Sequence, residues 1–277
     1  MLHHATITAM HTVLGPVVRR IEDDREAFSG NEAQLERIRK TIGLEQRRLV
    51  EAGTTALDLG EAAVRALALA EAPDALIMVT QTPDHFQPCN AALLHGRLGY
   101  GSDCAALDVS LGCSGWVYGL YLASLMIESG GCQRVLLVAG DTMSRCIHPR
   151  DRATAVLFGD GASATLVEKR SDAKAAYFDL HTRGEGAPHI QVPAGAFRQR
   201  PSEQTRTPST DDDGNMRTPE DLHMNGAEVF QFTMQEIPKA VAEVMAYAGV
   251  TSDEVDVFAF HQANRYILTN IARRLKL

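Results

Sequence analysis

Ala106-Leu-Asp-Val-Ser-Leu-Gly-Cys-Ser-Gly-Trp116 reads as a buried strand that passes through a short turn straight into a helix. The strand spans Ala105 to Ser110 and the helix Ser114 to Ser129. A strand-to-helix turn flanked by glycines presents its central side chain, here Cys113, at a helix N-terminus. The positive end of the helix dipole is expected to lower a thiol pKa there, and the thiolate is the nucleophile. A lone cysteine is more often a small buried hydrophobe. Gly112 and Gly115 on either side shift the reading of Cys113 toward a nucleophile.

The neighbouring sequence repeats the strand-and-helix theme. Thr54 to Ala70 carries Leu57, Ala63, Val64 and Leu67 at helical spacing and stops before Pro73. Ala75 to Thr80 follows as a fully buried strand, and Asn90 to Leu98 as a helix closed by Gly99. Arg134 to Ala139 and Ser163 to Val167 complete the set of strands. Strands alternating with helices point to an α/β protein whose mostly parallel sheet is covered on both faces.

Residues 184–221 break that pattern with five prolines and the acidic run Asp211-Asp-Asp213, and read as an irregular loop or cap. Beyond it, Ala227 to Ala248 is predicted helical and Val255 to Phe260 a buried strand ending at His261. Helix, turn, then Leu76-Ile-Met-Val-Thr80 matches helix, turn, then Val257-Phe-Ala-Phe-His261, at an offset of 181 residues. Both strands end in a polar cluster, Thr80-Gln-Thr82 and His261-Gln-Ala263, as expected of an internal duplication. The same offset sets Leu277 opposite Gly96, so the second copy is expected to be incomplete, with an apolar face left uncovered.

Composition narrows the function. In 277 residues, 35 acidic side chains outnumber 27 Lys plus Arg, for a formal net charge of −8. Such a chain lacks the basic footprint of a sequence-independent nucleic-acid binder. No apolar run approaches the ~20 residues of a membrane helix, and Met1 to Met10 does not read as a secretory signal. Five cysteines without a CxxC pair suggest reduced thiols in a cytoplasmic protein rather than a disulfide framework or a zinc site. No metal is expected.

His261 sits where parallel α/β sheets build their sites, at the C-terminal edge of a strand, although a core histidine at a strand end is the commoner case. Phe158-Gly-Asp-Gly-Ala162 lacks any phosphate-loop pattern and reads as a tight structural turn. Asp151-Arg152 reads as a surface ion pair.

Four segments together identify a resemblance. Val109-Ser-Leu-Gly-Cys-Ser-Gly115, Phe158-Gly-Asp-Gly-Ala162, His223-Met-Asn-Gly-Ala227 and Phe260-His-Gln-Ala-Asn264 resemble, in order, the motifs of β-ketoacyl-acyl carrier protein synthase III. That family belongs to the thiolase-like condensing enzymes. The resemblance implies a duplicated α/β/α/β/α core, here with its second half incomplete: residues 1–183 as the N-terminal half, 184–221 as the loop or cap, and 222–277 as the start of the C-terminal half. It implies that Cys113 takes an acyl group from a thioester, and that His261 stabilises the enolate formed as a malonyl thioester loses CO2. Asn225 and Gly226 would line the approach to the site. Arg273 and Arg274 would meet an acidic acyl carrier protein, although both also suit a solvated helix end.

Two departures accompany the likeness. The family's third catalytic residue, an Asn in a GNTSAAS-like segment after HQAN, has no counterpart in this sequence. The Trp that stacks on the adenine of coenzyme A falls at Arg37, while Arg152 matches the other half of that clamp. A carrier-protein donor therefore gains on coenzyme A. The expected protein is a cytoplasmic homodimer without a cofactor, making β-ketoacyl products in fatty acid or polyketide-like synthesis. Two alternatives stand beside it: acyl transfer to an alcohol or amine without decarboxylation, and a catalytically incomplete remnant or non-catalytic partner.

Overall fold

A computed structural model describes residues 1–28 and 30–277, without the side chains of Glu26 and Ala27. Two compact units interleave along the chain: Met1–Val17, Arg48–Thr142 and Asp160–Phe178 in the first, Val18–Arg47, Met143–Gly159 and Asp179–Leu277 in the second.

The first unit is built on a five-stranded sheet. Its elements are β1 (Ala5–Leu14), α1 (Ala56–Leu67), β2 (Ala75–Val79), α2 (Asn90–Leu98), β3 (Ala105–Val109), α3 (Gly115–Glu128), β4 (Arg134–Thr142) and β5 (Asp160–Lys169). The strand order is β1-β5-β4-β2-β3. Only β4, β2 and β3 run parallel; β5 returns antiparallel to β4, and β1 pairs antiparallel with β5. The mostly parallel sheet expected from alternating strands and helices is therefore mixed. The difference arises because β4 and β5 have no crossover helix between them, and a parallel neighbour needs one.

Every residue of β2 is buried, and its alternation shows why the run is uniformly apolar. Leu76 and Met78 join a core with Leu57 and Val64 of α1 and Leu94 of α2. Ala75, Ile77 and Val79 join another with Ala123 and Ile127 of α3. Side chains on successive strand residues point to opposite faces, so a central strand covered on both faces needs apolar groups at every position. Each large side chain buried there contributes roughly 1.5–3 kcal/mol.

Helix termini are fixed locally. Thr55 and Asp58 form a reciprocal capping box at the start of α1. Helix α2 borrows its cap from β3: both carboxylate oxygens of Asp108 accept, at 2.7 Å, from the N–H groups of Asn90 and Ala91. Gly99, with φ of +69°, closes α2 as its sequence position suggests.

In the second unit, the helix Glu32–Ile42 packs Leu35 and Ile42 with Ile21, Phe28 and Val156. Asp24, buried nearby, accepts from both Arg19 and Arg47. Residues 184–221 hold a six-residue 3-10 helix (Gly184–His189), three two-residue strands and one four-residue α-helix (Glu203–Arg206). The predicted helix at 227–248 is found as Gly226–Ala248, capped by Asn225. The predicted buried strand Val255–Phe260 is not a strand, and Val257 is 76% exposed. An extended segment becomes a strand only when its N–H and C=O groups find a ladder, and among the described residues none lies beside it.

Candidate active site

Cys113 lies in the first unit. Gly112 C=O accepts from the Gly115 N–H at 2.8 Å, which places Cys113 and Ser114 at the centre of a tight turn. Ser114, at φ −91° and ψ −3°, is the N-cap of α3 and adopts the third-residue geometry of a type I turn. Close packing explains the glycine after the nucleophile. A Cβ on Gly115 would strike Val79 Cγ1, and one on Gly119 would come within 2.5 Å of Leu137 Cδ1. The helix thus lies hard against the sheet, and Trp116 Nε1 donates to the buried Thr165 Oγ1 at 3.2 Å. Together these contacts hold the turn at the sheet's edge.

Cys113 is an exposed residue. Protein atoms nonetheless crowd its thiol, and desolvation pushes its pKa above the ordinary thiol value. The Asp141 carboxylate adds to the rise, and a local backbone N–H opposes it. The lowering expected from the helix dipole is overturned, because desolvation of the thiolate outweighs it. For reactivity the exposure decides: a thiol that solvent reaches is open to a thioester. Cys104 makes the contrast, buried and pushed up to about 11.

Asp141 was not singled out by the sequence reading. It closes β4, and its Oδ1 accepts from Thr80 Oγ1 (2.9 Å), Gln81 N (2.7 Å), Thr82 N (3.0 Å) and Thr82 Oγ1 (2.9 Å). The available signal was the polar triplet Thr80-Gln-Thr82 at the end of an apolar strand.

The other predicted residues lie in the second unit. His261 is exposed, in the unpaired segment three residues before Asn264. Protein around the ring lowers its pKa by desolvation, which favours the neutral imidazole, and that form keeps one N–H to donate. Asn264 of the HQAN segment caps the helix Arg265–Leu275 by accepting from the Ile267 N–H at 2.8 Å. Asn225 likewise accepts from the Glu228 N–H at 3.2 Å, and Gly226 opens the helix that follows. Arg273 and Arg274 stand exposed in the last turn of the helix Arg265–Leu275.

Asp151 and Arg152 are not a surface ion pair. Asp151 is 1% exposed, accepts from Thr154 Oγ1 at 2.9 Å, and faces Arg217 Nη1 at 3.6 Å. Arg152 turns away, with Nη1 3.5 Å from Gln34 Oε1 and its guanidinium against Gly214. A buried carboxylate recruits the donors that satisfy it, and adjacent residues rarely point the same way. Arg37, one turn beyond Gln34 on the same helix, is exposed.

One group of metal-capable side chains occurs among the described residues. Asp179, His181 and Glu243 bring ligand atoms within 4.8 Å of one another. The group includes none of the predicted site residues.

Comparison with known proteins places these features in context. Residues 107–186 match the family model described as 3-oxoacyl-[acyl-carrier-protein (ACP)] synthase III. The chain is 36% identical to the β-ketoacyl-[acyl-carrier-protein] synthase III of Caldanaerobacter subterraneus subsp. tengcongensis, over 85% of this chain and 70% of that protein. A crystal structure of a 3-oxoacyl-(acyl-carrier-protein) synthase III superimposes with a TM-score of 0.90 at 38% identity, covering 99% of this chain and 83% of the other. The 3-oxoacyl-(acyl-carrier protein) synthase from Burkholderia xenovorans LB400 gives a TM-score of 0.87 at 34% identity, covering 100% and 78%.

Proposed function

The chain belongs to the 3-oxoacyl-[acyl-carrier-protein] synthase III family, and on that premise we propose that Cys113 carries the acyl group while His261 stabilises the enolate. The fold is thiolase-like, and the enzyme is an acyltransferase that joins an acyl thioester to malonyl-acyl carrier protein by decarboxylative Claisen condensation. The observation that supports Cys113 most is its position: an exposed residue in a turn locked between a buried sheet and a tightly packed helix.

The chemistry balances without an oxidant or reductant, and we assign it no cofactor. The Cys113 thiol loses its proton as its sulfur attacks the thioester carbonyl. A C–S bond to Cys113 forms, the donor's C–S bond breaks, and the donor thiolate takes up that proton as it leaves. The malonyl thioester then loses CO2, and the electron pair of the broken C–C bond becomes the enolate. The His261 N–H donates to the enolate oxygen, which is the charge that grows in this step. The enolate carbon attacks the acyl-Cys113 carbonyl, and the thiolate departs. The Cys113 backbone N–H is assigned half of the oxyanion hole. Asn225 and Gly226 are assigned the approach, and Arg152 the donor's distal end.

A carrier-protein donor is favoured over coenzyme A, because Arg37 stands exposed where an aromatic residue would stack on adenine. We assign the protein to the cytoplasm as a homodimer; no helix among the described residues is long and apolar enough to cross a membrane. The test is incubation with acyl thioester and malonyl-carrier protein, reading product mass and released CO2. A β-ketoacyl thioester with equimolar CO2 is expected. Donor thiol released with neither would overturn condensation, and an ester or amide from added alcohol or amine would put simple acyl transfer in its place.

Arg273 and Arg274 give positive charge to one helix end of an acidic protein, which suits attraction of an acidic partner. Reversing both to glutamate is expected to raise the KM for carrier protein about tenfold at low salt, with kcat little changed. An unaltered KM would remove them from the docking surface.

A further inference from the structure

We propose that Asp141 and Gln81 are positioning residues for the nucleophile: one carboxylate oxygen pins the turn after the central strand, and the pinned glutamine braces the backbone just before Cys113. The proposal rests on Cys113 being the nucleophile, as argued above.

The geometry is specific. Four donors from three consecutive residues converge on Asp141 Oδ1, and Thr82 Oγ1 also accepts from the Thr142 N–H at 3.0 Å. The turn Thr80–Thr82 is thereby tied to the ends of both β2 and β4. The Thr80 N–H donates to Val109 C=O at 3.2 Å, tying in β3, the strand that leads to Cys113. Gln81 projects from this turn, and its carboxamide oxygen occupies the space where a Cβ on Gly112 would lie. A Cβ at residue 112 would displace the end of this exposed side chain. The carboxamide thus lies against the residue preceding the nucleophile.

A carboxylate with four donors on one oxygen is far more constrained than a surface acid, and Thr80 beside it is 3% exposed. Its charge also reaches the thiol. The groups that set the protonation of Cys113 are the protein around it, its local backbone N–H and Asp141. Asp141 is thus both the anchor of the turn and a charge that opposes the thiolate.

Two variants separate positioning from simple structural support. Asp141→Asn keeps an acceptor oxygen but removes the charge; Gln81→Ala keeps the backbone N–H bound to Asp141 but removes the brace. Each is read by iodoacetamide alkylation of Cys113 against pH and by acyl-transfer kinetics. In Asp141→Asn, the alkylation midpoint is expected to shift to lower pH. In Gln81→Ala, that midpoint is expected to stay near the wild-type value, while kcat for acylation falls about tenfold at little-changed KM, because misplaced reacting groups cost rate. Gln81→Glu, which retains the length of the brace, is expected to recover part of that kcat. An unshifted midpoint in a folded Asp141→Asn protein would overturn the electrostatic role, and wild-type kcat in Gln81→Ala would overturn the brace. If Asp141→Asn fails to fold, the exposed Gln81 pair still decides the brace. Alkylation needs no substrate, so its outcome is independent of whether the condensation reading holds.

Discussion

Cys113→Ala is expected to lose the acyl adduct entirely and to reduce condensation by about a thousandfold or more. Removing a covalent nucleophile takes away a step rather than one interaction, so the loss exceeds that from deleting a single hydrogen-bond donor. The exposed position of residue 113 keeps the folding cost small, within about 0.5 kcal/mol, so wild-type denaturation together with lost activity marks the defect as chemical. Intact-mass measurement after incubation with acyl thioesters, beside a turnover assay, checks both halves. His261→Ala gives the informative contrast. It leaves the thiol in place, so the adduct should still form, while decarboxylation falls on the order of a hundredfold, as for loss of one oxyanion donor. An adduct that persists in Cys113→Ala would mean that another thiol or hydroxyl carries the acyl group.

Much of the first unit was legible because its signals are local. The uniformly apolar Ala75–Val79, the glycine stop of Asn90–Leu98 and the Gly-Cys-Ser-Gly turn all act within a few residues of themselves. What was missed depends on partners distant in sequence. Strand Ala5–Leu14 leaves Ile7, Met10 and Leu14 substantially exposed at the sheet edge, and only its pairing with Asp160–Lys169 makes it a strand. The sequence Val255–Phe260 carries an apolar run like that of Ala75–Val79, yet among the described residues it has no neighbouring strand and stays outside any sheet. Pattern records the capacity to pair; the ladder must be supplied from elsewhere.

The site shows the same division. The turn around Cys113 was readable, whereas its electrostatics were not, since Asp141 approaches from the far end of another strand. A local dipole argument gave a lowered thiol pKa; desolvation and the remote carboxylate reverse it. Asp151 taught a similar lesson. Beside Arg152 in sequence, it is buried against Thr154 and Arg217 instead.

Glycine substitutions along the helices give the sharpest stability test, because two opposing effects have different sizes at different positions. Replacing a helical glycine by alanine contributes roughly 0.5–1 kcal/mol of stability by restricting the unfolded chain and improving helix propensity. At Gly96, on the exposed side of α2, a Cβ meets nothing within 4 Å, so Gly96→Ala should stabilise by about that amount. At Gly119 the same Cβ would lie 2.5 Å from Leu137 Cδ1 and 3.0 Å from Val79 Cγ2. Val79 and Leu137 are nearly or fully buried in the sheet core, and relief requires α3 to lift away from it. Overpacking of this kind costs about 1–3 kcal/mol for an added methyl and more for a branched group. Gly119→Ala should therefore destabilise despite the helix gain, and Gly119→Val should cost about 3 kcal/mol or more. Helix α3 begins two residues after Cys113, so the damage should extend to the nucleophile, with slower alkylation in the still-folded Gly119→Ala protein. Equal denaturation midpoints for the Gly96 and Gly119 alanine variants would show that the helix does not press on the sheet and that the turn bearing Cys113 is held some other way.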